Sequence, residues 1–318
     1  VGSDVRAAVA KGGADVIVGY DPSEGLAKAQ AQIQRANTKA QRTAAAREAF
    51  SAFSATKRAV TGKIGRGFGV KRDFDHLPVQ LVHVDSPAGL NVLAASPGIV
   101  SIQLPQQRTI DAVPTNLSLI KQPEAAAAGY TGSGVTVAVL DSGIDWTLPG
   151  VNGAFGDCSN GPGTPGCRIA NFATTVRWPD GVPICTDELF NNDVDVNNHH
   201  GTNVSGVVAE VAPGARLDVI KVFRIDDCQT GHVTADDGDV LAALNSVIID
   251  AAAHNTRAVN LSLGNSQTYY NTHCSDSAYA QAFQSLRAVG VVPVVAAGND
   301  AFQNGTFQPG GGISDPAC

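Results

Sequence analysis

Three polar residues stand where an α/β protein would do its chemistry. Asp141 follows the run Val135 to Leu140, Ser262 lies in AVNLSL (258–263), and Asn299 closes VVPVVAAGN (291–299). Each run is short, apolar and rich in β-branched residues and reads as a strand, the first as one buried on both faces in the middle of a parallel sheet. Ligands bind in open α/β sheets at the carboxyl ends of the strands, so an acid, a hydroxyl and an amide would face one crevice. A neutral amide suits the stabilisation of a negative oxygen, because it donates hydrogen bonds without titrating. Plainer readings exist for each: an acid before Ser-Gly can cap a turn, and Asn-Asp after Gly is ordinary turn sequence. Asp145, four residues after Asp141, competes with it only if the turn between them is misread.

The elements that would position these groups alternate. After the strand ending at Asp141 come a long cysteine-bearing insertion (about 146–198), a helix over 201–209 and a strand RLDVIKVF (216–223). A helix over 236–253, the strand AVNLSL, a helix SDSAYAQAFQSLRA (275–288) and the strand VVPVVAA complete the series. Strands and helices in this order imply right-handed crossovers and a doubly wound parallel sheet. The first third differs. DVIVGY (15–20) reads as a strand, and residues 24–60 carry apolar side chains at helical spacing in an Ala, Gln, Lys and Arg background. Gly62, Gly65, Gly67 and Gly69 then form a loop or hairpin without the Lys-Ser/Thr of a phosphate loop. VQLVHVDS is an alternating strand, 87–95 a short helix and IVSIQL (99–104) a last strand. Strand, helix, two strands, helix, strand is the split β-α-β layout of a small ferredoxin-like α+β domain. PQQRTIDAVPTN (105–116) has no apolar period and reads as a linker.

The chain has 318 residues, enough for two domains of unequal size. Its net charge of −7 is uneven: residues 1–113 carry +5 and the rest −12, so the two parts should attract each other, unless the basic excess is only the solvated face of a long helix. Lys and Arg are dispersed and not interleaved with aromatics, which argues against nucleic acid, and no apolar run approaches the ~20 residues of a membrane span. The absence of methionine and of a signal peptide reads as an internal or processed piece of a longer product. All six cysteines follow residue 157, lie among Gly, Asn, Asp and Pro, and form no Cys-x-x-Cys pair. An even count in loops favours disulfides and an oxidising compartment. Six cysteines allow about 15 connectivities, and sequence alone does not choose among them; the expectation is Cys158 with Cys167, Cys185 with Cys228, and Cys274 with Cys318.

VAVLDSGID, HGTNVSGVVA, VNLSLG and VVAAGN, in this order, resemble the subtilase family of serine peptidases over about residues 115–318. The domain before them is similar to that family's inhibitory propeptide. The resemblance implies a propeptide-like domain over 1–112 and a subtilisin-like catalytic domain over 113–318. It makes Asp141 the carboxylate that accepts the imidazole Nδ1 proton, and His200 the general base and then general acid. Asn299 becomes the oxyanion donor. Ser262, Leu263 and Gly264 would pair with an extended substrate as an added strand. Ala296, Ala297 and Gly298 would line the pocket for the side chain before the scissile bond. The tail of the propeptide would occupy the cleft until cleavage, with 105–116 as the candidate segment. Asn203 and Ser205 depart from the family's usual His and Ala. The nucleophile motif, of Gly-Thr-Ser-Met-Ala type, does not occur, and Ser314 in GGISDPAC does not fit it.

The expectation is a secreted, monomeric serine endopeptidase zymogen acting on polypeptides, held by its own propeptide domain, with its serine beyond Cys318. No cofactor is required for catalysis; NNDVDVNN around Asp193 and Asp195 is acidic enough to invite structural calcium but offers no complete ligand set. The alternative is an inactive pseudo-peptidase or a peptidase-inhibiting binding protein. A nucleotide-binding domain is disfavoured because no glycine fingerprint follows the first strand.

Overall fold

In the computed structural model, the structure describes residues 1–23, 27, 31, 35, 51, 53–61, 67–105, 107–110, 117–148, 153–177, 184–185, 192–195, 199–265, 269–270, 272–274, 277–299, 302–303, 306–307 and 313–318. The chain forms two compact units that do not follow chain order. The first comprises Val1–Gln106, Leu244–Ala253 and Thr272–Val291, and the second Gln107–Ala243, His254–Asn271 and Val292–Cys318.

In the first unit, α1 (Ser3–Ala10), β1 (Ala14–Tyr20), β2 (Phe68–Asp73), β3 (Val79–Val84), α2 (Pro87–Ala94) and β4 (Ile99–Gln103) follow in sequence. The strands form one sheet in the order β2-β3-β1-β4, and every pairing is antiparallel. The strands expected at 15–20, 79–86 and 99–104 are therefore present, whereas α1 has no counterpart in the sequence reading. Ser86 caps α2 by accepting from Gly89 N–H at 3.2 Å, with Pro87 at the first helical position. Val5, Val9, Val16, Val18, Tyr20, Val82, Leu90 and Leu93 build the core between sheet and helices. Residues 53–61 are helical; most of the expected 24–60 helix, with Gly62 and Gly65, lies outside the described residues. Lys57 is fully buried and donates to Asp73, to Phe74 O at 2.6 Å and to Leu77 O at 3.1 Å. Helix α6 (Ala278–Ala288) also belongs to this unit and packs against β1. Gln103 Oε1 accepts from Ala278 N–H at its first turn, 3.2 Å away.

The second unit holds a five-stranded parallel sheet of β6 (Thr136–Asp141), β7 (Ile169–Thr174), β8 (Arg216–Lys221), β11 (Thr256–Leu261) and β14 (Val292–Val295), in the order β14-β11-β6-β8-β7. Every pairing is parallel, and β6 is central with Ala138, Val139, Leu140 and Asp141 wholly buried. Continuous apolar character is what a strand covered on both faces requires. Helix α3 (Gln122–Ala127) precedes β6, α4 (His200–Val211) precedes β8, α5 (Asp237–Asp250) precedes β11, and the two-residue strand β13 (Tyr269–Tyr270) precedes α6.

Three expectations are corrected. The insertion at 146–198 contributes β7 to the edge of the sheet. Ile169–Thr174 carries Asn171 and Ala173 within a weakly apolar run, so only its partner β8 fixes it as a strand. The run 216–223 is divided between β8 and β9 (Phe223–Asp227), which pairs with β10 (His232–Asp236). The linker at 105–116 includes β5 (Gln107–Ile110), which lies between β10 and β12 (Leu263–Gly264) in a second, antiparallel sheet; residues 111–116 lie outside the described residues. A pattern-free tetrapeptide becomes a strand when both edges offer hydrogen-bond partners.

Cys158–Cys167 and Cys185–Cys228 are disulfides. Cys274 and Cys318 are also disulfide-bonded and no cysteine is free, so all three expected pairs are present. Among the described residues no helix is long and apolar enough to cross a membrane.

Candidate active site

Strand β6 delivers Asp141 to the carboxyl edge of the parallel sheet, and helix α4 starts at His200. The two side chains meet there: His200 Nδ1–H donates to Asp141 Oδ1 at 2.8 Å, with Asp141 fully buried and His200 6% exposed. Asp141 Oδ1 also accepts from Ser142 N–H at 2.7 Å, while Oδ2 has no hydrogen-bond partner among the described residues. Burial pushes the Asp141 carboxyl above its ordinary range; the His200 hydrogen bond and charge and the Ser142 amide oppose that rise, and the Asp193 charge adds to it. A carboxylate in this position fixes the imidazole tautomer, leaving Nε2 to act on another group.

Two glycines make the approach possible. Gly143 has φ +123°, and a Cβ there would overlap Asn192 O; a Cβ on Gly201 would overlap Gly143 O. The turn after Asp141 and the first turn of α4 are thus in backbone contact, closer than any side chain permits. Asp145 belongs to the neighbouring turn, where its Oδ1 accepts from Thr147 N–H at 2.9 Å and from its hydroxyl at 2.6 Å. It is a turn cap and does not compete with Asp141.

The other expected site residues fall as follows. Ser262 is buried between β11 and β12 and accepts from Asn260 Nδ2 at 3.0 Å. Leu263 and Gly264 form β12 and are paired, antiparallel, with Ile110 and Thr109. Ala296 N–H donates to Leu261 O at 3.0 Å, and Ala297 O accepts from Ser314 N–H at 3.0 Å. Gly298 has φ +96°, with Ser314 Oγ 2.9 Å from where its Cβ would be. Asn299 is exposed just beyond β14. Of the expected set, then, the structure brings Asp141 and His200 into direct contact. On α4, Asn203 is exposed, whereas Ser205 is fully buried and its Oγ has no partner among the described residues.

Several supporting residues escaped the sequence reading. Asp193, read only as part of an acidic loop, is 2% exposed and accepts from Ser142 O–H at 2.7 Å, Thr202 O–H at 2.6 Å and Thr202 N–H at 2.9 Å. With both oxygens occupied by protein donors, it is built as a hydrogen-bond acceptor. Arg168 holds the far end of α4. Its guanidinium donates to Ala209 O at 3.3 Å, Ala212 O at 2.8 Å, Ala215 O at 3.0 Å and Ala154 O at 2.6 Å. Neither has a local sequence signal, since each acts on residues distant in the chain. Among the described residues the one cluster of metal-ligand type is Cys274, Asp315 and Cys318, and its cysteines are in disulfides.

The fold and site are those of an α/β protein whose central parallel strand ends in a buried carboxylate, hydrogen-bonded to a histidine at the head of a helix. The chain belongs to the subtilase family, whose model matches residues 132–318. It is 28% identical over 245 residues to alkaline elastase YaB of Bacillus sp. (strain YaB), covering 74% of this chain and 52% of that protein. It is 29% identical over 256 residues to an alkaline protease of Shouchella clausii (77% and 53%). It is 26% identical over 277 residues to subtilisin E of Bacillus subtilis (strain 168) (83% and 60%). The chain thus spans between half and two thirds of the length of these relatives.

Proposed function

We propose that this chain is the zymogen portion of a secreted subtilisin-like serine endopeptidase, whose nucleophilic serine lies in sequence following Cys318. The observation that carries this reading is the buried 2.8 Å hydrogen bond between His200 and Asp141. In the proposed reaction, serine Oγ attacks the scissile carbonyl as His200 Nε2 takes its proton. Asp141 stabilises the imidazolium, and His200 returns the proton to the leaving amine. Asn299 donates to the oxyanion. Ser262 to Gly264 hold the substrate as an added strand, and Ala296 to Gly298 leave room for its side chain. Catalysis requires no metal in this scheme.

The zymogen part of the proposal draws on β5. Thr109 and Ile110 occupy, as an antiparallel strand, the edge of Leu263 and Gly264 that a substrate would use. These residues, within the expected cleavage segment 105–116, would thereby fill the cleft until cleavage. The matches to relatives extend over more residues than the 132–318 family segment, which supports an N-terminal domain shared with them. The disulfides agree with an oxidising compartment.

The test is to express the chain with its downstream reading frame and assay peptide hydrolysis. We expect a Gly-Thr-Ser motif downstream, a mature N-terminus within 105–116, and a loss of about 10⁴-fold or more in kcat for His200→Ala. A frame that stops after Cys318, together with tight inhibition of a separate subtilase by this chain, would establish the inhibitor reading instead.

A further inference from the structure

Helix α4 begins without a cap of its own. Its N-cap residue, His199, has φ 49° and makes no side-chain cap hydrogen bond, and the first turn contains no acid. The leading amides of a helix need acceptors, and here they come from distant residues. Ser142 Oγ accepts from Gly201 N–H at 2.9 Å, and Asp193 Oδ2 accepts from Thr202 N–H at 2.9 Å. The remaining oxygen, Asp193 Oδ1, accepts from Ser142 O–H at 2.7 Å and from Asp195 N–H at 3.3 Å. Ser142 has one hydroxyl proton to give. Asp193 Oδ1 is closer to Ser142 Oγ than Asp141 Oδ1 is, at 2.7 against 3.3 Å. Asp193 therefore turns that proton away from Asp141, whose Oδ1 is left to the His200 imidazole and the Ser142 amide.

We propose that Asp193 is a positioning residue for the Asp141–His200 pair. It docks the first turn of α4 onto the turn that follows β6, orients the Ser142 hydroxyl, and places a second buried negative charge beside the pair. Three consequences follow from one carboxylate: the ring is held at hydrogen-bond distance, Asp141 is kept as its acceptor, and the protonated imidazole is favoured. The titratable groups around the ring are Asp141 on β6, Asp193 and Asp195 in the loop before α4, and the adjacent His199. The proposal rests on reading His200 as the base. Its test involves no turnover, so its failure is separable from failure of the peptidase reading.

The test is nuclear magnetic resonance of the full chain with labelled histidine, following the His200 Nδ1 proton and the His200 titration. Asp193→Asn preserves shape and one acceptor but removes the charge and lets Ser142 donate to Asp141. We expect the His200 pKa to fall by about one unit and the Nδ1 proton to move upfield. Val219→Ala, in the core of β8, should lower the melting temperature and leave both signals in place. If Asp193→Asn is folded and both His200 signals stay at their wild-type values, the proposal is overturned. Should that variant fail to fold, Ser142→Ala breaks the same link; movement of the Nδ1 proton supports the proposal, and unchanged signals overturn it.

Discussion

Asp141 combines complete burial, one strong pair of donors and one oxygen without a partner among the described residues. Such a group costs stability in return for chemistry. Its folded-state pKa is raised, so between the ordinary carboxylate value and that raised value the folded state binds more protons than the unfolded one. Stability from this group therefore falls as pH rises through that window. Asp141→Asn removes the slope while keeping an acceptor for His200. We expect the variant to be more stable than the parent by about 1 kcal/mol at pH 7, with the gain shrinking as pH falls toward 4. Thermal melts across that range measure it; a gain that grows with acid would contradict the burial argument. At this scale the sequence was informative wherever a residue sat in a local motif: Asp141 and His200 were both legible. Asp193 was not, because its acidic loop says nothing of the two segments its carboxylate joins.

Helix α4 shows how an element can be held by its surroundings. No basic residue stands in its last turn, and its C-cap is Ala212. Arg168, next to Cys167 in the disulfide-closed loop, supplies the charge and the donors that the helix end lacks. Desolvation lowers the Arg168 pKa, yet the residue stays charged because arginine starts so high. We predict that Arg168→Ala loses about 3 kcal/mol in urea unfolding, since several carbonyls are orphaned together. Arg168→Lys should lose less, keeping the charge without the planar fork. Equal losses would mean that the charge contributes nothing without the planar fork. Element types were readable from periodicity for β1, β3, α2, β6, α4, α6 and β11. Strands β5 and β7 were not, because neither carries a pattern of its own and both exist through the edges they join.

At the scale of the molecule, the first compact unit is assembled from residues far apart in the chain: the N-terminal sheet, 244–253 and 272–291. Within it α6 buries Tyr279, Ala282 and Leu286 completely and packs on β1. Removing residues 1–106 would strip that unit of most of its core. A parallel sheet with long-range pairings folds slowly unless a preformed partner lowers the barrier. We predict that 107–318 alone refolds about tenfold or more slowly than the whole chain, as read by stopped-flow fluorescence, and that adding 1–106 in trans restores part of the rate. Equal rates would remove the folding role. By itself the sequence determined the doubly wound α/β class and the ordered motifs with Asp141 and His200, which are written in local periodicity and in contiguous motif residues. It favoured disulfides but left their pairing open, since Cys185–Cys228 joins residues 43 positions apart. Only the tertiary structure decided that β5 fills the β12 edge, that β7 completes the sheet, and that Asp193 and Arg168 hold the two ends of α4. Those features depend on hydrogen bonds between residues tens of positions apart, which no local pattern in the chain encodes.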